Sequence, residues 1–222
     1  MTTYPAGSRS VRAYVAVPAS GRGPGVLALH EGWGFTVFIR DVCDRLAREG
    51  FVALAPDFFD GRTASTVDQA RELVGLLTLV RLSEDLEGGV HALLSHVAVD
   101  GPRVGALGFC MGGHLALLAA CLSRRVGAVV DFYGALPDVP LDLPKLEASV
   151  LGLFAERDEF IPAEAVEALR RDLRAAGKRA DLRVTPGVHH AYMNATSPDR
   201  FDATAAAEGW ERLLAHFRAE LA

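Results

Sequence analysis

The sequence lacks long apolar runs and any concentration of basic residues. Half of its 222 residues are apolar, but no stretch approaches the roughly 18 apolar residues that a membrane-spanning helix requires. The first residues show no charged segment followed by an apolar one, so we expect no secretion signal. The net charge is −5 and the basic residues are scattered, which argues against nucleic acid or a membrane as a partner.

Cysteine is scarce, and the common metal and nucleotide motifs are absent. The three cysteines, Cys43, Cys110 and Cys121, are an odd number without paired spacing, which favours a reducing cytoplasm over a disulfide framework. No Cys-x-x-Cys, His-Glu-x-x-His or Walker-type loop occurs, so we expect no metal and no cofactor. Without an internal repeat or a linker, the chain is expected to form one domain over residues 1–222.

Short apolar runs alternate with amphipathic segments along the chain. The predicted strands cover residues 11–17, as an edge strand, and then 25–29, 52–55, 104–109, 128–132, 150–155 and 182–185. The predicted helices lie near 37–49, 67–79, 84–95, 112–122, 162–176 and 201–220. This alternation predicts an α/β fold, in which a doubly wound, mostly parallel sheet has helices on both faces. Ligands in such folds bind beyond the carboxyl ends of the strands.

The segment Gly108-Phe-Cys-Met-Gly112 breaks a predicted strand and opens a predicted helix. The Gly-x-Cys-x-Gly pattern is typical of a nucleophile elbow, in which a reactive side chain occupies a sharp strand-to-helix turn. Glycines two residues before and after the nucleophile allow strand and helix to pass closely. The alternative is that Cys110 is an inert buried thiol, but the apolar strand before it and the small residues after it favour a nucleophile.

A nucleophilic thiol needs a base, and the base needs an acid to orient it. Asp158 and His190 each follow a predicted strand, and they come after Cys110 in the order nucleophile, acid, histidine. Neighbouring side chains compete for both roles, and chain direction alone does not decide between them. These competitors are Glu156 and Glu159 for the acid and His189 for the base.

A second informative segment is Leu27-Ala-Leu-His-Glu-Gly-Trp-Gly34, in which a buried strand runs directly into an acid, a glycine and an aromatic residue. In an elbow fold, one N–H of the oxyanion hole comes from the loop after this strand and the other from the residue after the nucleophile. We therefore expect the backbone N–H groups of Gly32 and Met111 to form that hole. Glu31 would lie near the thiol, unless it is an exposed loop acid.

Six motifs together resemble one known family. They are His30-Glu31-x-x-Gly34, Pro56-Asp57, Gly108-Phe-Cys-Met-Gly-Gly113, Phe132-Tyr-Gly134, Asp158-x-x-x-Pro162 and Gly187-x-x-His190-x-Tyr-x-Asn194. The set is similar to dienelactone hydrolase (carboxymethylenebutenolidase), a family of the α/β-hydrolase superfamily, from about residue 11 to residue 221. The flanking motif residues favour Asp158 over its acidic neighbours and His190 over His189.

The resemblance implies roles for individual residues. Cys110 would attack the carbonyl of a small lactone or ester and form an acyl-enzyme. His190 would transfer the proton, and Asp158 would hold the imidazole. Glu31 would match the family's acid that contacts the resting thiol and is displaced when substrate binds. The family works as a monomer and without a cofactor.

The substrate is less defined, because well-known members carry an arginine where this chain has Asn194. Arg71 or Arg81 would then have to supply a cation for an acidic lactone. The side chains expected to contact substrate are Trp33, Arg71, Arg81, Tyr133, Tyr192 and Asn194. A general carboxylesterase or other acyl hydrolase with poor dienelactone activity is an alternative, and a non-catalytic thiol-sensing or binding protein is another.

Overall fold

Eight strands form a mostly parallel sheet in the computed structural model, which describes residues 1–136 and 139–221. The strands are β1 Thr2–Ala6, β2 Arg9–Ala16, β3 Gly23–Leu29, β4 Val52–Pro56, β5 Val99–Phe109, β6 Val126–Phe132, β7 Ser149–Arg157 and β8 Ala180–His189. Their order is β1-β2-β4-β3-β5-β6-β7-β8. β2 pairs antiparallel with β1 and β4, and the remaining neighbours pair in parallel. Residues 137, 138 and 222 of the predicted domain lie outside the described part.

Helices cover both faces of this sheet. They are α1 Val37–Arg48, α2 Val67–Gly75, α3 Leu79–Leu94, α4 Met111–Leu122, α5 Ala163–Ala175 and α6 Ala203–Glu220, with a 3₁₀ turn at Leu143–Lys145. The apolar faces of α1 and α6 pack on one side of the sheet, and those of α3, α4 and α5 pack on the other. The predicted α/β architecture is therefore confirmed.

The central elements are apolar because protein covers them on every side. Each residue of β4 and of β6 is buried, as expected for parallel strands between two layers of helices. In α4, every residue from Met111 to Cys121 is buried, so this helix lacks a polar face. It contacts β3, β5 and β6 and thereby anchors the turn that precedes it.

All seven predicted strands are present, but the first strand of the sheet was missed. β1 is short, and only Tyr4 and Ala6 of its five residues are buried. It pairs along the edge of β2, with Tyr4 opposite Val11. Because three of its five residues are exposed and it adds little to the core, the strand has no clear apolar signal in the sequence.

The predicted helix over residues 67–79 covers the whole of α2 and reaches the first residue of α3. α2 ends at Gly75, and α3 begins at Leu79 rather than near residue 84. The hydroxyl of Thr78 accepts a hydrogen bond from the Arg81 N–H, which caps the new helix. Among the described residues, no helix is both long and apolar enough to cross a membrane.

The parallel pairing of β3, β5, β6, β7 and β8 brings their carboxyl ends to one rim of the sheet. The residues that follow these ends are Glu31, Cys110, Tyr133, Asp158 and His190. Side chains separated by long stretches of sequence therefore meet at this rim.

Candidate active site

Cys110 occupies a strained backbone conformation between β5 and α4. Its φ is 55° and its ψ is −122°, a region that costs a non-glycine residue about 1–3 kcal/mol. Two backbone hydrogen bonds hold the turn: the Cys110 N–H donates to the Phe132 carbonyl at 2.9 Å, and the Gly113 N–H donates to the Cys110 carbonyl at 3.0 Å. The thiol is free and partly exposed, so the elbow presents it to the rim.

The glycines of the elbow are required by close backbone contacts. A Cβ at Gly108 would lie 1.8 Å from the Gly112 carbonyl oxygen, and one at Gly112 would lie 2.2 Å from the Leu29 oxygen and 2.7 Å from the His30 oxygen. All three obstacles are backbone atoms, which cannot rotate away as a side chain can. The start of α4 is thus pressed against the end of β3.

Asp158 holds the imidazole of His190. The two side chains are joined by a 2.8 Å hydrogen bond from His190 Nδ1 to Asp158 Oδ2. The other oxygen of the carboxylate, Oδ1, accepts hydrogen bonds from the backbone N–H groups of Phe160 and Ile161 at 2.9 and 2.8 Å. With the Nδ1 proton committed to Asp158, Nε2 is the nitrogen left to exchange a proton with the thiol.

The surroundings of His190 favour its protonated form. Burial alone would lower its pKa, but hydrogen bonds to Asp158 and Cys110, together with their negative charges, raise the pKa to about 10. The rings of Tyr133 and Phe160 pack on the imidazole with centroids 4.8 and 5.0 Å away. The imidazole is therefore held by both hydrogen bonds and packing.

The competing side chains have other environments. His189 is exposed, because it precedes His190 in an extended segment where consecutive residues point to opposite faces. Glu156 accepts a hydrogen bond from the Gly187 N–H at 2.8 Å, and Glu159 forms an ion pair with Arg200.

Glu31 is buried and is held through one oxygen. Its Oε2 accepts a hydrogen bond from Asn194 Nδ2 at 2.8 Å, whereas Oε1 has no partner among the described residues. Burial raises the pKa of Glu31 to about 7, although the nearby His190 and the Asn194 bond oppose the shift. The predicted exposed-loop alternative for Glu31 does not match this placement.

His30 fixes the backbone of the Glu31 loop. Its Nδ1 lies 2.6 Å from the Glu31 carbonyl oxygen, and its Nε2 lies 3.2 Å from the backbone nitrogen of Phe58. Since an N–H only donates and a carbonyl only accepts, the ring carries its proton on Nδ1 and is neutral. Burial, which lowers the pKa of His30 to about 4, maintains this state. The ends of β3 and β4 are joined in this way.

Tyr133 closes the floor of the site. It has a φ of 46°, and its buried hydroxyl has no partner among the described residues. Burial raises the pKa of this hydroxyl, and the negative charges of Glu31 and Asp158 add to the shift. Tyr192 is also buried, with its ring centroid 5.5 Å from that of Tyr133.

The two expected oxyanion donors lie at the same rim. Met111 is the first residue of α4, so its N–H has no acceptor within the helix. Gly32 follows Glu31 in the loop after β3, beneath Val74 and Ala70 of α2. The partly buried Trp33 comes next, and its carbonyl accepts a hydrogen bond from the Ala64 N–H.

The two candidate arginines make contacts elsewhere. Arg81 Nη2 donates to the Phe58 carbonyl at 2.8 Å and lies 3.0 Å from Asp60 Oδ2. Arg71 is exposed on α2 and lies 3.4 Å from Asp68. Neither guanidinium makes a hydrogen bond or ion pair with Glu31, Cys110 or His190 in the described part of the chain, and their role in substrate binding stays a prediction.

Two residues of the site were missed in the sequence. Thr196 binds the side-chain oxygen of Asn194, and the Asn-x-Thr spacing is a recognisable turn signal. Phe160 packs on His190 and has no comparable signal. Across residues 1–136 and 139–221, no group of three or more His, Cys, Asp or Glu side chains is arranged to hold a metal ion.

Comparison with known proteins agrees with this geometry. The family model described as the dienelactone hydrolase family matches residues 11–221. The chain belongs to this family. A candidate carboxymethylenebutenolidase of Escherichia coli strain K12 is 35% identical over 237 residues, covering 98% of this chain and 85% of that protein. Another, from Aquifex aeolicus strain VF5, is 33% identical over 218 residues, covering 95% and 94%.

A solved structure supports the same assignment. The crystal structure of a candidate dienelactone hydrolase from Klebsiella pneumoniae subsp. pneumoniae MGH 78578 is similar with a TM-score of 0.88 and 32% identity, covering 98% of this chain and 96% of that one. The resemblance noted in the sequence is confirmed, and so is the α/β-hydrolase fold. As a member of the dienelactone hydrolase family, the chain is an ester or lactone hydrolase that acts on small molecules.

The close contact at the elbow predicts that Gly112→Ala destabilises this dienelactone hydrolase family member. The added methyl meets backbone oxygens of residues 29 and 30, and overpacking of this kind costs about 1–3 kcal/mol. Chemical denaturation measures the free energy of unfolding. Gly75→Ala is the control, because a Cβ there meets nothing within 4 Å. Equal changes in the free energy of unfolding for the two variants would contradict the close contact at Gly112.

The hydrogen bond to Asp158 predicts the protonation state of His190. In Asp158→Asn the acceptor charge is lost, so the pKa of His190 falls from about 10 and the ring becomes neutral at lower pH. Activity falls by roughly 10²–10⁴-fold. NMR titration of the imidazole measures the pKa. Glu156→Gln serves as the matched control and leaves it unchanged; a His190 pKa that is the same in Asp158→Asn would refute the coupling.

Proposed function

We propose that the protein hydrolyses small lactones or esters through an acyl-enzyme formed on Cys110. The observation that carries this proposal is the chain of contacts from Asp158 to His190 to a thiol placed on a strained elbow. A free thiol is only a few per cent thiolate at neutral pH, and a neighbouring imidazolium promotes its ionisation. The surroundings that keep His190 protonated therefore favour the reactive form of the nucleophile.

In the first half of the reaction, the sulfur of Cys110 attacks the carbonyl carbon of the ester while His190 holds the thiol proton. The carbonyl π electrons move to its oxygen, and the N–H groups of Gly32 and Met111 stabilise the resulting oxyanion. Such donors are commonly worth about 3 kcal/mol each. When the oxyanion collapses, the C–O bond breaks, and the leaving alkoxide takes the proton from His190. The acyl group remains on sulfur as a thioester.

In the second half, water attacks the thioester and gives one proton to His190 Nε2. The tetrahedral intermediate collapses with cleavage of the C–S bond. This step releases the carboxylic acid and leaves the Cys110 thiolate beside the protonated His190. Asp158 stabilises the imidazolium in both halves without taking its proton. In a lactone the leaving alcohol stays attached to the acyl group, so one ring-opened hydroxy acid is the product.

A second candidate is a general carboxylesterase that turns over dienelactone poorly. This alternative is favoured by Asn194 and by the contacts that Arg81 makes with Phe58 and Arg71 makes with Asp68. We further propose that the enzyme is a cytoplasmic monomer; its three free cysteines suit a reducing compartment. Size-exclusion chromatography with light scattering tests the oligomeric state.

The proposed mechanism predicts that Cys110→Ala abolishes hydrolysis of an activated ester. The rate falls by at least about 10³-fold, while thermal stability changes little because the side chain is partly exposed. With an ester that deacylates slowly, mass spectrometry finds the acyl mass on Cys110 in the unsubstituted enzyme. Cys43→Ala, which removes a buried thiol distant from the rim, forms the same adduct. An active enzyme that never forms an adduct would exclude the acyl-enzyme, and a protein without adduct or turnover would be a binding or sensing protein.

A further inference from the structure

The inference concerns the charge of the substrate, and it rests on the proposed function of the same site. We propose that Asn194 fixes Glu31 at the rim, so that the enzyme selects esters and lactones that carry no negative charge near the reacting carbonyl. Asn194 is a positioning residue in this account, since it acts through Glu31.

The orientation of the Asn194 amide is determined by its neighbours. Its Oδ1 accepts a hydrogen bond from the Thr196 backbone N–H at 3.0 Å and another from the Thr196 hydroxyl at 2.6 Å. A backbone N–H only donates, so the amide oxygen must face Thr196 and the NH₂ group must face Glu31. The contact at 2.8 Å is therefore a hydrogen bond donated by Asn194 to Glu31 Oε2.

The hydrogen bond from Asn194 makes it unfavourable for the Glu31 carboxylate to move away from the rim. Both side chains are 3% exposed, so movement of the carboxylate would leave the buried Asn194 NH₂ without an acceptor. Because Oε2 is already an acceptor, a proton taken up by Glu31 is carried on Oε1, the oxygen without a partner among the described residues. Oε1 is the atom of Glu31 that is left for a substrate.

The groups that face Glu31 leave its charge without a dedicated counter-ion. They are His190 after β8, Tyr133 after β6 and the neutral His30 beside it. The cation among them, His190, is already bound by Asp158 and Cys110. On α2, which packs over Gly32, the charged residues are Asp68, Arg71 and Glu72, and all three side chains are exposed.

No arginine or lysine in the described ranges makes a hydrogen bond or ion pair with Glu31, Tyr133 or Asn194. Arg200, which lies over the Phe160 ring, is already paired with Glu159. A carboxylate on the substrate would therefore enter beside the carboxylate of Glu31 without a free cation to compensate it, and like charges repel strongly where water is excluded. A neutral acyl group avoids this repulsion and meets the buried rings of the floor instead. The discrimination depends on Glu31 being ionised, so it is strongest above the pKa of about 7 and weakens below it.

The test compares p-nitrophenyl butyrate with p-nitrophenyl hemisuccinate, in which a carboxylate replaces the terminal methyl. We expect the unsubstituted enzyme to prefer the butyrate in kcat/KM by more than about tenfold at a pH of about 8.5, which corresponds to about 1.4 kcal/mol. The preference decreases as the pH falls to about 6. The hemisuccinate stays ionised over this range, and titration of His190 affects both substrates, so the ratio isolates Glu31.

Two variants identify the residues responsible. Glu31→Gln keeps an acceptor for Asn194 but removes the charge, so the ratio decreases and loses its pH dependence. Asn194→Ala removes a hydrogen bond that lowers the pKa of Glu31, so the pH midpoint of the ratio moves upward. Glu72→Gln is the control, because that carboxylate is exposed on α2, and it leaves both the ratio and the midpoint unchanged.

The outcomes separate this inference from the proposed function. A hemisuccinate preference, a ratio that does not change with pH, or a pH dependence that persists in Glu31→Gln would overturn the inference. If butyrate still forms the Cys110 adduct in those cases, the acyl-enzyme mechanism stands. Circular dichroism on Asn194→Ala confirms that the variant folds, and Glu31→Gln decides the question independently if it does not.

Discussion

The close approach of the first turn of α4 to the ends of β3 and β5 is the constraint on which the active site depends. Residues 108 and 112 are separated by less space than one methyl group requires, and this forces the chain through the left-handed conformation of Cys110. The backbone N–H of Cys110 is then fixed on β6, and the next N–H is left free by its place at the start of the helix. The Cys110 thiol and the unpaired N–H of Met111 are therefore presented by the same turn.

Around this turn, the remaining groups are set by the register of the parallel strands. β3, β6, β7 and β8 are each followed by a different side chain of the site, and loop residues rather than neighbours on the same strand hold Asp158 and Glu31. Asp158 is fixed by the N–H groups of residues 160 and 161, and Glu31 is fixed by His30 and Asn194. Polar contacts in the loops thus fix the positions of these side chains, which the strand register alone does not determine.

The sequence predicts most of this arrangement where local patterns determine it. Buried parallel strands are apolar runs, and the Gly-x-Cys-x-Gly pattern has one mechanical explanation, so the fold and the strand-to-helix turn at Cys110 could be predicted. β1 and the break between α2 and α3 were missed because they depend on edge pairing and on a single capping threonine.

The side-chain environments were less accessible to sequence reasoning. Arg81 is a reasonable substrate cation on a helix beside the site, but packing against the loop after β4 directs its guanidinium to Phe58 and Asp60. The hydrogen bond between Glu31 and Asn194 joins residues 163 positions apart, and no local pattern in either segment predicts it. Long-range polar contacts of this kind require the folded structure.

The position of β8 at the end of the sheet has a consequence for how activity is lost. Among the described strands, β8 is hydrogen-bonded to β7 alone, and outermost strands open locally at a smaller free-energy cost than central ones. The imidazole of His190 is carried just past this outermost strand, whereas the sulfur of Cys110 is anchored to the centre. Fraying of this margin therefore separates the imidazole from the sulfur while the interior stays intact.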